Sequence, residues 1–299
     1  MRMRATVAAV SGALALSAFA AVPAAQADDP SYRESAASAF AAHHDPSASA
    51  SSSSSARSYG ITAAADGTMD VSFSNFKIAK AVKVGTTNHV STTVTYKLTH
   101  GTGVDIHAAD FATGPYIYKG SFDTPVNMLF GVYAATCTDT SATTATCKGD
   151  IDVYPYDGEL LNSDAGTWKG GALALDYTTS DYADQGGLGS TLVQRYSKLT
   201  VNASPEPVKK GKTLTVTGKL SRANWEDNKY HGYTGQSVKL QYRKKSSSTY
   251  TTVKTIKTNS TGNLKTTVKA SADGYYRFAF AGTSTTPAVN AAGDFVDVK

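Results

Sequence analysis

Cysteine is nearly absent from this chain: it has two, Cys137 and Cys147, in 299 residues. That count rules out a disulfide-dense scaffold, and the nine residues between the pair exclude the Cys-x-x-Cys geometry of a redox or zinc site. The hydrolase elbow Gly-x-Ser-x-Gly does not occur. Gly211-Lys-Thr resembles the end of a phosphate-binding loop, but Glu206 stands where the first Gly belongs, and no helix follows to receive a phosphate. Beyond residue 68, Leu/Ala/Glu/Lys stretches at helical period are missing. Past the N-terminus, no run is apolar and long enough to cross a bilayer.

What is present begins with a leader. Arg2 and Arg4 precede an Ala-rich apolar run, and Ala25-Gln26-Ala27 supplies the small–x–small pattern of a signal-peptidase site. We read residues 1–27 as a signal peptide cut after Ala27, which makes the mature protein secreted and extracellular with no transmembrane segment left after cleavage. In an exported chain the two cysteines default to a disulfide. The polar segment between them reads as a turn and the flanks read as strands, so the bond clips a β-hairpin.

Residues 28–65 follow as a Ser/Ala-rich tail. Ser47 to Ala56 contains only those two residue types and has nothing bulky to bury, so the tail reads as a disordered linker, with Ser35 to Ala42 its only helical candidate. From Met69 onward Thr, Val and Tyr alternate with apolar residues at period two. Asp70 to Phe76, His89 to Thr99, Tyr116 to Tyr118, Met128 to Tyr133, Ile151 to Tyr154, Trp168 to Tyr177 and Leu192 to Tyr196 read as strands separated by Gly, Asp and Pro clusters. A second set runs from Lys198 to Val298. The fold class is all-β: two β-sandwich domains in tandem, at 66–196 and 197–299, joined by a short, stiff, Pro-bearing junction.

Charge separates the halves. Residues 28–196 carry 10 Lys/Arg against 18 Asp/Glu, whereas 197–299 carry 17 against 6. The basic half points to an anionic cell-wall polymer such as teichoic acid, or to an acidic polysaccharide. The bland alternative is solubility and mutual attraction of the halves. Nucleic acid is excluded as a partner class, because the Lys residues alternate along strands without any recognition motif.

Three sets of residues carry candidate chemistry. Carboxylates at Asp150, Asp152, Asp157 and Glu159, with Asp164 close behind, and at Asp176, Asp181 and Asp184, offer hard oxygens for calcium. Asp105 and Asp110 form a further pair. The pattern departs from an EF-hand, since Tyr154, Pro155 and Leu161 fill three of its required positions, and turn-forming Asp is the alternative. Of the histidines, His43 and His44 fall in the tail, and His89, His100 and His107 lie along one strand and its loop without converging on a metal. Trp225, Tyr230 and Tyr233 sit in the longest loop of the basic half. They form a candidate ligand surface for a sugar ring, unless Trp225 folds back onto a core. Trp168, inside a strand, reads as core.

The run from Lys198 to Leu220, with Val238-Lys-Leu-Gln-Tyr-Arg, Tyr275-Tyr-Arg-Phe-Ala-Phe-Ala-Gly-Thr and Gly293-Asp-Phe-Val-Asp-Val, resembles the bacterial Ig-like module of secreted actinobacterial proteins. The resemblance extends loosely upstream through Cys137, Cys147 to Val153 and Gly166-Thr-Trp-Lys, into the signal peptide. It implies an exported two-domain Ig-like family whose members are sometimes labelled calcium-binding. The expected function is a secreted, non-catalytic binding or surface-associated protein with no cofactor beyond calcium. An inhibitor or modulator of an extracellular protease, presenting the clipped hairpin to a protein partner, is the second reading. A divergent hydrolase is the third.

Overall fold

The computed structural model describes residues 32–44 and 66–299. The leader, its cleavage site and the Ser/Ala run at 47–56 lie outside the described residues. A helix, α1 (Tyr32–His43), precedes ten strands of the first domain. These are β1 (Asp66–Gly67), β2 (Val71–Lys77), β3 (Ala81–Val84), β4 (Val90–His100), β5 (Phe111–Gly120), β6 (Pro125–Phe130), β7 (Thr136–Ser141), β8 (Thr144–Val153), β9 (Gly166–Asp176) and β10 (Tyr182–Arg195). The second domain holds β11 (Ser197–Leu199), β12 (Asn202–Ser204), β13 (Thr213–Asn224), β14 (Lys229–Gly232), β15 (Ser237–Lys244), β16 (Thr251–Lys257), β17 (Asn263–Lys269), β18 (Gly274–Phe280), β19 (Val289–Asn290) and β20 (Asp294–Val296).

Each domain is a two-sheet β-sandwich. In the first, β1-β10-β9-β5-β6 faces β2-β4-β8-β7, and β3 runs parallel to β10. The alternation in β4 sends Val94, Tyr96 and Leu98 inward to meet Trp168, Ile117 and Ile151. In the second, β13 is flanked by β11 and β12 on one side and β14 and β17 on the other. It packs Leu214, Val216 and Leu220 against Val238, Leu240 and Phe278 of the sheet β16-β15-β18.

The polar segment between the cysteines is not a loop. Strands β7 and β8 pair through it, with Cys137 opposite Cys147 and disulfide-bonded to it. Only residues 142–143 make the turn. β-Branched Thr at 136, 138, 140, 144 and 146 suits a pleated, solvated ribbon, which explains why so polar a stretch is strand.

The expected disorder of the tail is corrected over Tyr32–His43. Tyr32, Ala36 and Phe40, spaced by four, form one buried stripe of α1. The helix lies on the outer face of the β5–β9 sheet and builds a third cluster with Tyr116, Tyr118, Phe130, Leu173 and Leu175. The cause lies in the sheet. β5 and β9 are buried on both faces over most of their length, so this sheet needs a cover on the side away from the sandwich core. Gly114 makes the seat: a Cβ there would lie 2.6 Å from the Tyr32 ring.

Candidate ligand-binding surfaces

The calcium candidates are dispersed, and all but Asp157 accept hydrogen bonds from protein donors. Asp150, exposed on β8, accepts the Thr93 hydroxyl at 2.7 Å. Asp152 is buried and accepts the Val132 N–H at 2.9 Å, with His89 Nε2 2.8 Å away. Asp157 is exposed in a 3-10 turn, Pro155–Asp157. Glu159 accepts the Tyr154 N–H at 2.6 Å and pairs with Arg33 of α1. Asp164 is buried and accepts the Leu161 N–H at 2.8 Å. Asp176 accepts the N–H groups of Thr178 and Thr179 at 2.8 Å each, and Asp181 accepts the Thr179 hydroxyl at 2.9 Å. Asp184 is buried under α1, where it accepts the Tyr116 hydroxyl and faces His44 at 3.0 Å. Among the described residues, no three His, Cys, Asp or Glu converge on a point where a metal ion would sit. Turn and strand hydrogen bonding explains these carboxylates, the alternative the sequence also offered.

The histidines separate in the same way. His43 stacks on Tyr182 with ring centroids 3.3 Å apart, and His107 pairs with Asp139 at 3.0 Å. His89 stacks on Tyr154 at 4.3 Å and lines a cleft of about 460 Å³ with Tyr133, Lys148, Asp150 and Asp152. Burial by itself raises the Asp152 carboxyl, but the Val132 N–H, His89 and Ser91 together hold it below the ordinary carboxylate range. None of the hydrogen bonds among the described residues joins His89 to a hydroxyl or thiol that this His–Asp pair would activate.

The loop aromatics do not form a sugar platform. Trp225 is 2% exposed and belongs to the core of the first domain, although the chain delivers it from the second. Its indole N–H donates to Gly85 O at 2.9 Å, and its backbone N–H to Asn162 Oδ1 at 3.1 Å. Tyr230 packs against the same core, with Lys198 Nζ 3.7 Å above its ring. Tyr233 packs on Phe280 of the second core, under the Arg222 guanidinium. Around this wedge, Arg195 Nε donates to Ala223 O at 2.6 Å and Gln194 to Thr283 O at 2.8 Å. Burial, reinforced by Arg222, lowers the Arg195 guanidinium to about 10. The Trp225 loop and the end of β10 supply side-chain contacts across the junction between the two domains.

One surface was missed in the sequence reading: the outer face of β15, β16 and β18. Cross-strand register puts Lys257, Lys239, Arg277 and Arg243 on it, with Lys245 just beyond the end of β15. Arg243 lies 3.8 Å over the Tyr275 ring and 5.4 Å from that of Tyr250, and Arg277 lies 3.9 Å over Tyr250. Lys245 sits 5.3 Å over Phe295. Arg277 Nε is fixed on Gln241 Oε1 at 2.8 Å. Among the described residues, no ion pair engages any of these five cations. The signal in the sequence was Gln241-Tyr-Arg243 and Tyr275-Tyr-Arg277, where a period of two puts the first and third residue of each triplet on the same face.

No helix among the described residues is long and apolar enough to cross a membrane. No protein-family model matches the chain, and no curated protein matches it. Among solved structures it is similar to a marsupial T cell receptor, with TM-score 0.35 and 14% identity over 76% of this chain and 73% of that one. It is also similar to fibronectin(III)-like modules of Clostridium thermocellum CbhA, with TM-score 0.27 and 12% identity over 76% and 92%. The Yersinia pseudotuberculosis adhesin InvE matches with TM-score 0.25 and 11% identity over 74% and 58%. Likenesses this distant transfer no ligand and no activity, so the functional reading rests on the surfaces described above.

Proposed function

We propose that this chain is an exported, non-catalytic binding protein whose second domain holds an anionic polymer of the cell envelope on the outer face of β15, β16 and β18. The observation that carries this reading is the strip of five cations that have no carboxylate partner among the described residues, three of them seated on aromatic rings. A folded domain ordinarily intersperses opposite charges. Here the guanidinium planes are held by Tyr250, Tyr275 and Gln241, so they lose little side-chain entropy on meeting a ligand. Their unused N–H groups match the forked oxygens of phosphate, sulfate or carboxylate. A repeating polyanion suits a flat face of this kind better than a small ligand, which needs a concave pocket.

Titration of the protein with purified wall teichoic acid at a series of salt concentrations tests the reading. Saturable binding that weakens steeply with salt is expected, and an uncharged polysaccharide gives none. The R243Q/R277Q double variant reduces the log–log salt slope by about two, since each lost contact removes roughly one released counterion. Absence of saturable binding at low salt, or a slope unchanged in the variant, overturns it.

A further inference from the structure

We propose that the sheet face beneath α1 is an exchangeable docking site, and that α1 of a second copy of this chain occupies it where copies are crowded. The helix is held as a ligand is held. It contributes no strand to any ladder. Side chains attach it: the Tyr32, Ala36 and Phe40 stripe, Arg33 on Glu159 and on the carbonyls of Phe130 and Asp152, His43 on Tyr182, and His44 on Asp184. Its fit is incomplete, because the Tyr32 hydroxyl and Arg33 Nε are buried without hydrogen-bond partners. A helix of twelve residues has little stability of its own in water, so docking and helix formation stand or fall together.

The connection to the first strand is far longer than its endpoints require. His44 Nε2 lies 3.0 Å from Asp184, and Asp66 is the register partner of that same Asp184. Roughly four extended residues would close the gap. The chain instead spends 21, at positions 45–65, a contour length of about 70 Å. That length reaches the equivalent face of a neighbour, and two copies can exchange helices reciprocally about a two-fold axis. A tether of this many residues gives the helix an effective concentration on the order of millimolar. Copies in dilute solution therefore keep their own helix, and copies packed at comparable local density exchange.

The test uses the full chain with single thiols added, H43C in one preparation and Y182C in another, because the His43 and Tyr182 rings stack in the docked helix. Mild oxidation of a mixture is expected to give an H43C–Y182C cross-linked dimer that increases with protein concentration toward about 1 mM. The product is expected to disappear when the H43C chain also carries F40D, which removes the apolar anchor. Failure to form it at that concentration, while a chain carrying both H43C and Y182C cross-links internally, overturns the proposal. So does a product that survives F40D, which marks chance collision. A doubly substituted chain that does not close internally also overturns it, by showing that the helix does not rest on this face.

Discussion

Replacing Trp225 by Ala tests the join between the domains. The indole is 2% exposed, fills the first domain's core from the second domain's chain, and donates to Gly85 O at 2.9 Å. Removing a buried Trp side chain costs about 3–5 kcal/mol. Collapse around the hole is limited here, because the Trp225 loop is held by Ala223 N–H to Tyr196 O and by Asn162 to Asn224, and β3 by Tyr196 N–H to Val84 O. For a domain of this size each kcal/mol moves the melting temperature by roughly 3–5 °C, so the first domain is expected to melt about 10–25 °C lower. The second domain keeps its own core of Leu214, Val238 and Phe278 and is expected to hold its temperature. Differential scanning calorimetry should therefore resolve one cooperative transition in the parent and two in W225A. A single transition displaced by less than about 3 °C would refute the claim that this side chain couples the domains.

The remaining predictions concern the first domain. Reducing the Cys137–Cys147 bond, or replacing both residues with Ser, opens a short loop and is expected to cost about 2–3 kcal/mol, read as a lower denaturant midpoint with unchanged far-ultraviolet circular dichroism. The folded Asp152 carboxyl titrates below its ordinary value, so its contribution is complete above that value and is lost as pH falls through the folded one. D152N is thus expected to be less stable than the parent at neutral pH and to lose less stability between about pH 5 and pH 2, measured by urea unfolding at each pH. An acid limb of equal steepness in both proteins would show that Asp152 is not held by Val132 and His89 in solution.

Strand positions were legible wherever one face is wet. His89 to Thr99 alternates cleanly, and β4 occupies almost that span. The reading lost strand length where the period fails. β7 is Thr-rich and mostly exposed, and the first half of β8 buries only the small side chains of Ala145 and Cys147 between threonines, so both looked like a turn. In β9, Gly170 to Leu175 is buried throughout, so no alternation showed that a second layer covers it. The covering helix was nearly silent for a related reason. Three buried side chains in twelve residues make a faint stripe, and its partner strands begin only at Phe111. Trp225 was left between surface and core because nothing local distinguishes the two. Its socket belongs to another domain. The carboxylates illustrate the converse error: composition can count oxygens, but convergence depends on loops whose paths are set by their own hydrogen bonds, as with Asp176 and Thr178.

The sheet that α1 covers has a consequence for the order in which the molecule assembles. Synthesis delivers the helix well ahead of β5, β9 and β10, the strands that form its seat. Until β9 and the start of β10 have been made, neither the complete seat nor Asp184, the anchor for His44, exists. Closure of this third layer is accordingly a late, long-range event, and the nascent chain carries a broad oily strip of Tyr116, Tyr118, Leu173 and Leu175 until it occurs.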